Sequence, residues 1–437
     1  MMRIPAAVLL LLAPLASGAA MQADSVARGA AIDTIVVTGN TSTKTYVILD
    51  EMLLQEGMVP TAEALEYDRN RIYSLGLFTR VELHFDSLAQ VRTLTVSVTE
   101  RWHWFPTFVV GFRDGDPKKL YYGAGFYHNN VAGRAQKLSA IFTLGYDPSV
   151  SVAYSNPLLD HERRLFAGVG LGYARTRSRS VLEMAQSGEY DEVRTEISVS
   201  LGKRLTQFES VSARLGLSMV RADPYMPGHT NETDGKDEFL TLALYYLNDT
   251  RDLREYPLQG SYTELSATKM GFGESDVNFA RFAADLRYYL QAPLGTTLLG
   301  RVFGGAVAGG TVPPYSRSFF GYSERIRGYF TDVLEGEHQV GATLELRIPL
   351  FRPRYVHFSL LDIPEEFTYW RIGAALCLFG DTGTTWFRGH NVGLADLSSG
   401  FGGGLDLVLP YSFVVRLQYA WNDTLRGQFI LDLRWAA

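Results

Sequence analysis

From about residue 102 to the end of the chain, apolar and polar positions alternate with a period of two. Phe429, Leu431, Leu433 and Trp435 alternate with Gln428, Ile430, Asp432 and Arg434. Val415, Leu417, Tyr419 and Trp421 alternate with Arg416, Gln418, Ala420 and Asn422, and Phe282, Ala284, Leu286 and Tyr288 with Ala283, Asp285 and Arg287. A strand turns successive side chains to opposite faces, so this pattern specifies a sheet with one apolar and one polar face. Sixteen such segments occur, at 104–113, 121–129, 135–147, 149–156, 164–177, 190–203, 208–221, 238–249, 260–271, 277–292, 295–308, 338–349, 370–381, 400–410, 411–421 and 427–435. A tilted strand of nine to eleven residues crosses a bilayer. An even number of antiparallel strands closes a barrel with both ends on one side. The expectation is an all-β transmembrane antiparallel barrel of 16 strands over 102–437, with 427–435 closing against 104–113. A soluble sandwich also alternates, but it rarely sets charge against large aromatics over so many strands.

The segment 31–101 reads differently. Ile32, Ile35, Val36 and Val37 form a strand ending at Gly39-Asn40, a turn pair. Thr41 to Glu56 carries Tyr46, Ile48, Leu49, Met52 and Leu53 at helical spacing, and Gly57 ends that helix. Thr61 to Leu75 is a second helix, with Gly76 as C-cap. Val81 to Phe85 and Leu94 to Thr99 alternate as strands. The order is β-α-α-β-β, an α+β unit. Val37-Thr38-Gly39-Asn40, Gly57, Leu75-Gly76-Leu77-Phe78 and Leu94 to Glu100 together resemble a POTRA domain. That resemblance implies a periplasmic module without chemistry of its own, one that captures extended segments at a sheet edge.

Composition supports the membrane reading. Mean hydropathy is −0.03, as in a soluble protein. Gly 42, Tyr 24 and Phe 25 suit a barrel with one wetted face and aromatic girdles. A net charge of −6 argues against a nucleic-acid partner. Arg3, the apolar run Ala6–Ala13 and the small residues Ser17-Gly18-Ala19-Ala20 read as a signal peptide over 1–23. Cys377 is the only cysteine, so an internal disulfide is excluded.

Five further places carry a resemblance to the BamA/TamA superfamily of outer-membrane assembly and secretion proteins. They are Tyr154-Ser155-Asn156-Pro157-Leu158; Asn248-Asp249-Thr250-Arg251-Asp252 with Pro257 and Gly260-Ser261-Tyr262; Phe319-Phe320-Gly321 with Ile326-Arg327-Gly328-Tyr329; Glu345-Leu346-Arg347-Ile348-Pro349; and Phe379 to Trp386. The resemblance implies a cell outer membrane of Gram-negative type with the POTRA domain in the periplasm. Odd-numbered strands then run outward. The long connections 222–237, 309–337 and 382–399 fall outside, and Ala292-Pro293-Leu294 is a short periplasmic turn. The connection 350–369 is unusually long for that side, and the third and fourth strands are poorly separated.

The resemblance also implies that the Arg327-Gly328-Tyr329 turn folds back into the lumen as a latch. A guanidinium there needs carboxylates, and Asp381 and Glu345 match the family's partners. Gly328 permits the tight turn. The lateral seam between the first and last strands, marked by Gly111, Gly427 and Trp435, opens sideways in the family. Pro106 at an edge fits either a weak seam or an ordinary first strand. Trp435 is followed by Ala436-Ala437, a small departure from a family whose last strand usually ends at an aromatic.

No catalytic constellation is found. His161-Glu162 lacks the second histidine of a zinc-protease helix, and Gly168, Gly170 and Gly172 read as small lumen-facing positions. Gly400 and Gly402-Gly403-Gly404 read as loop and strand. Cys377 reads as small, buried or lipid-facing. No enzyme activity, cofactor or metal is expected. The expected partners are the outer-membrane lipid bilayer, unfolded or extended client polypeptides, and periplasmic or lipoprotein accessory subunits. The leading function is insertion of outer-membrane proteins or polypeptide translocation. A secretion pore dedicated to one partner, and a passive channel or lipid-handling barrel, stand as alternatives.

Overall fold

The computed structural model of the 437-residue chain describes residues 30–87, 90–113, 118–273, 275–330, 332–357 and 368–435. The signal-peptide segment 1–23 and the final Ala436-Ala437 lie outside them.

The N-terminal unit is β1 (Thr34–Thr38), α1 (Thr45–Leu49), α2 (Ala62–Tyr73), β2 (Phe78–Asp86) and β3 (Thr93–Glu100). Its sheet runs β1-β3-β2, with β1 parallel and β2 antiparallel to β3. Ile32, Ile48, Ile72, Leu77, Val81, Leu94 and Val96 close the core between sheet and helices. The Thr61 hydroxyl caps α2 by accepting from Ala64 N at 3.1 Å. The first helix is much shorter than the spacing over 41–56 predicts. The reason is local. The buried Asp68 carboxylate of α2 accepts from Leu53 N at 2.8 Å and Leu54 N at 2.9 Å. Those amides are thereby drawn away from a helical ladder.

Sixteen antiparallel strands follow in one sheet: β4 (Trp104–Phe112), β5 (Leu120–Val131), β6 (Gln136–Gly145), β7 (Ser149–Asp160), β8 (Leu165–Arg177), β9 (Asp191–Arg204), β10 (Glu209–Asp223), β11 (Lys236–Asp249), β12 (Gly260–Met270), β13 (Phe279–Gln291), β14 (Thr297–Gly309), then β17 (His338–His357), β18 (Tyr369–Trp386), β19 (Ser398–Leu409), β20 (Phe413–Asn422) and β21 (Gly427–Trp435). The connection between β14 and β17 carries a two-stranded hairpin of its own, β15 (Ser318–Phe320) and β16 (Leu334–Gly336). A short helix, α3 (Val181–Ser187), lies between β8 and β9.

The sheet is inside-out relative to a soluble protein. Val169, Leu171 and Tyr173 of β8, Leu344 of β17 and Phe429, Leu431 and Leu433 of β21 are exposed. Glu345, Arg347, Asp406, Arg416 and Gln418, on the opposite face, are buried. Such an arrangement is stable only where hydrocarbon covers the outside and the curled sheet encloses a polar lumen. Among the described residues, no helix is long and apolar enough to cross a membrane; the crossing is by strands.

β18 runs to Trp386, into the connection expected over 382–399, and two larger departures concern the sheet. Of the connection expected over 350–369, residues 350–357 and Tyr369 are strand, and 358–367 lie outside the described residues. β17 continues to His357 and pairs with the start of β18 from Tyr369, with irregularities between Pro349 and Phe351 and between Phe351 and Arg354. Proline lacks a ladder donor, so Pro349 and Pro353 are accommodated at these bulges. Second, 427–435 does not close against 104–113. β4 and β21 are the two edges of the sheet, with no ladder between them among the described residues.

The N-terminal unit packs on the end of the barrel formed by the short turns. Lys44 N donates to Gly133 O at 2.8 Å, Tyr67 Oη to Thr250 O at 3.0 Å, and Arg71 Nη1 to Asp249 O at 3.2 Å. Glu51, buried at this junction, pairs with Arg71 at 2.9 Å and with Arg204 of β9 at 2.7 Å. Burial alone would raise the Glu51 carboxyl. Arg204, Arg254 and Arg71 outweigh it and hold the group below the usual carboxylate range.

Candidate functional site

The connection 310–337 leaves β14 on the end of the barrel opposite the N-terminal unit and turns back into the lumen. Its base is tied to the wall and to a neighbouring connection. Arg317 pairs with Glu335 at 2.6 Å, the Ser180 hydroxyl ahead of α3 donates to Glu335 at 2.7 Å, and Arg281 of β13 donates to Ser318 Oγ at 2.9 Å. Further in, Glu324 accepts from both Nη1 and Nη2 of Arg301, at 3.0 and 2.9 Å. Arg301 and Arg287 share Asp285.

Arg327 sits at the tip. Its Nε donates to Asp381 Oδ2 at 2.7 Å and its Nη2 to Asp381 Oδ1 at 2.8 Å, a bidentate fork. Its Nη1 donates to Glu345 Oε2 at 2.7 Å, and its backbone N–H to Asp381 Oδ2 at 3.1 Å. The guanidinium lies 3.6 Å over the Phe379 ring centre. Alternation puts both carboxylates on the lumen face: Glu345 lies between Leu344 and Leu346 of β17, and Asp381 between Gly380 and Thr382 of β18. Their side chains are 2 % and 5 % exposed. Burial works against the Arg327 charge, but Asp381 and Glu345 outweigh it and hold the group well above its ordinary range. Glu345 is shared, its other oxygen accepting from Arg347 Nε at 2.8 Å. Arg347 in turn lies over Tyr256, whose hydroxyl donates to Asp406 at 3.2 Å.

The tip also rests on the last strands. Gly328 has φ +100°, and a Cβ there would meet Trp421 O at 2.7 Å. Gly400 of β19 is the tighter place, since a Cβ would stand 1.7 Å from Arg327 O. Phe330 N donates to Gln428 Oε1 of β21 at 2.9 Å, and the Tyr329 hydroxyl donates to Asp423. Phe379 stands in the sequence only as the start of the Phe379–Trp386 stretch, and nothing in the sequence ties Gly400, Trp421, Asp423 or Gln428 to the tip. Glycine alternation at 400, 402 and 404 was the nearest pointer to a close backbone approach.

The structure thus brings Arg327, Gly328 and Tyr329 together with Asp381 and Glu345. Gly111 and Gly427 lie on the edge strands, β4 and β21, and do not meet across a ladder. The backbone of Trp435 pairs with Phe413 of β20. Cys377 is buried, close to Glu345 and Asp406, with donor atoms of the three within 4.8 Å of one another. Both Glu345 oxygens are occupied by guanidiniums, and Gln418 Nε2 donates to Cys377 Sγ at 3.6 Å. The arginines already supply the positive charge that a metal would bring, so these residues fit an ion-pair network. His161 stands 3.2 Å from Asp50 in the turn after β7.

Residues 130–429 match the Omp85 superfamily domain, and residues 30–101 match the POTRA family, a surface-antigen variable-number repeat. Among curated proteins no sequence match is found. The fold is similar to BamA from Haemophilus ducreyi lacking POTRA domains 1–3, at 16% identity and TM-score 0.55 over 92% of this chain and 83% of that one. It is also similar to CdiB from Escherichia coli, at 10% identity and TM-score 0.55 over 92% of this chain and 75% of that one. With one POTRA domain ahead of a sixteen-stranded antiparallel sheet, the chain belongs to the Omp85 superfamily of outer-membrane proteins.

Proposed function

We propose that the protein sits in the outer membrane with its POTRA domain in the periplasm, and that it inserts or translocates client polypeptides through a laterally opening seam between β4 and β21. The observation that carries this reading is that β4 and β21 end the sheet with no ladder joining them among the described residues. Phe108 of β4 is 82 % exposed and Phe429 of β21 is 67 % exposed, so both edges lie in the lipid-facing wall. An unsatisfied backbone group in hydrocarbon costs several kcal/mol. An edge held there is a strong template for an added strand. Templated pairing needs no nucleotide and no catalytic side chain. Arg327, Gly328 and Tyr329 act as a latch, with Asp381 and Glu345 as its partners, holding the outer connection against β19–β21 while the seam works.

The test is a disulfide across the seam. A cysteine at Val109 of β4 and one at Ile430 of β21, with neighbouring lumen-facing positions as alternates, are oxidised in membranes. Assembly of outer-membrane barrels is then followed by their heat-modifiable gel mobility. Locking is expected to stop client assembly or export, and reduction to restore it. Full activity in the locked state would refute lateral opening. Depletion separates the finer readings: loss of many barrels indicates general assembly, and loss of one client indicates a dedicated pore.

A further inference from the structure

The POTRA sheet has an edge that the barrel itself partly occupies. Thr34 N donates to Arg92 O and Ile35 N to the Glu56 side chain. β1 therefore bonds β3 through its even-numbered residues. The register then leaves odd-numbered residues of β3 bonded to β2, through Arg80, Glu82, His84 and Asp86. The backbone groups of Val81, Leu83 and Phe85 face outward from β2. Val81 N does not end in solvent. It donates at 3.4 Å to the hydroxyl of Tyr355, on the part of β17 that projects past the barrel. The same projection holds the POTRA domain elsewhere. Tyr355 meets Tyr73 edge-on at 6.4 Å, Arg371 lies 4.6 Å over Tyr73 and donates to Asn70 at 3.3 Å, and Arg80 lies 4.5 Å over Tyr369.

We infer that the β17–β18 projection and an extended client segment compete for the β2 edge, so that capturing a client there releases the POTRA domain from the barrel. A strand pairing along Val81–Phe85 needs the Val81 N–H that Tyr355 holds, and the space beside Arg80 that Tyr369 fills. Among the described residues no hydrogen bond or ring contact from the barrel reaches Leu83 or Phe85, and a client can start on them. Completing the ladder then requires the projection to leave. Two ligands for one edge exclude each other: whatever weakens the projection raises the fraction of free edge and tightens the client by up to that factor. The other edge is a poorer site. Glu56 covers Ile35 N, and the stretch at 57–58 bonds Ile32. The inference rests on the client-handling reading above.

The probe is a fluorescent peptide with the sequence of β21, Gly427–Trp435, together with the same peptide carrying Leu431→Pro. Both are titrated against the full chain in detergent by anisotropy. Tyr355→Ala is expected to bind the β21 peptide about five- to a hundredfold more tightly than the unmodified protein, the usual span of a coupling between sites. Tyr355→Phe and Tyr369→Ala fall between, and retained heat-modifiable mobility checks that each variant is folded. Hydrogen exchange should show peptide-induced protection of β2 together with faster exchange in 350–357. Equal affinity for all variants, with β2 still protected, overturns the competition and leaves client capture standing. Failure of the peptide to bind any variant overturns both.

Discussion

Replacing Arg327 with Met should detach the tip of the 310–337 connection from the lumen wall. The side chain donates three hydrogen bonds to two carboxylates. Glu345 keeps Arg347 after the change, whereas Asp381 loses every side-chain donor it has from Arg327. Breaking a buried pair while leaving one charge behind costs about 3–5 kcal/mol. At 1.4 kcal/mol per tenfold, the docked-to-undocked ratio falls by roughly two to three and a half orders of magnitude. Arg327→Lys retains the charge but reaches only part of the fork, and should cost about half as much. Arg327→Met with Asp381→Asn removes the orphaned charge, so the double variant should be less perturbed than the sum of the singles. The assay is hydrogen exchange over 318–330 in folded protein, alongside the temperature at which heat-modifiable mobility is lost. Exchange in Arg327→Met within about 0.5 kcal/mol of the unmodified protein would refute the assignment of Arg327 as the main tether.

Two other expectations follow from the same geometry. Gly400→Ala puts a methyl where Arg327 O lies, 1.7 Å from an ideal Cβ. It should loosen the same tip by about 1–3 kcal/mol without touching an ionic group, read by the same exchange experiment. Glu51→Gln tests the POTRA junction through pH. The Glu51 carboxyl is held below its usual range in the folded state, so its contribution is present above the unfolded value and is lost as pH falls through the folded one. The stability gap between the unmodified protein and Glu51→Gln should therefore be constant at neutral pH and shrink on acidification below the usual carboxylate range. A gap that widens in acid would contradict the pairing with Arg71 and Arg204.

Much of the wall was legible because a period of two leaves little freedom: once one face must meet lipid, each strand's register is set by its own residues. The overrun of β17 and β18 was not. Leu350-Phe351-Arg352-Pro353-Arg354 breaks the alternation, and two prolines argue against a central strand. Only the pairing partner, Tyr369–Ala374, and the bulges reveal that the ladder goes on. The short length of the first helix is hidden for a related reason. Tyr46 to Leu53 has helical spacing, but a carboxylate fifteen residues away competes for the backbone at Leu53. Arg327, Asp381 and Glu345 could be nominated through a family resemblance and alternation. Gly400, Gln428 and Asp423 could not, because their proximity to the tip depends on where β19–β21 stand after the sheet has curled.

The proposed latch and the proposed seam share one strand, β21. β21 is held by its ladder to β20 and also, through Gln428, by the tip that Arg327 anchors. β4 has its ladder to β5 and no bond to the tip among the described residues. Lumen-side bracing therefore falls on one edge of the seam. Losing Arg327 should speed exchange in β21 together with the tip, while β4 changes little. If instead both edges respond equally, the tip acts on the barrel's overall curvature, and the local contacts through Gly400 and Gln428 are consequences of docking, with the tether lying in the wall network around Asp285, Arg301 and Glu324.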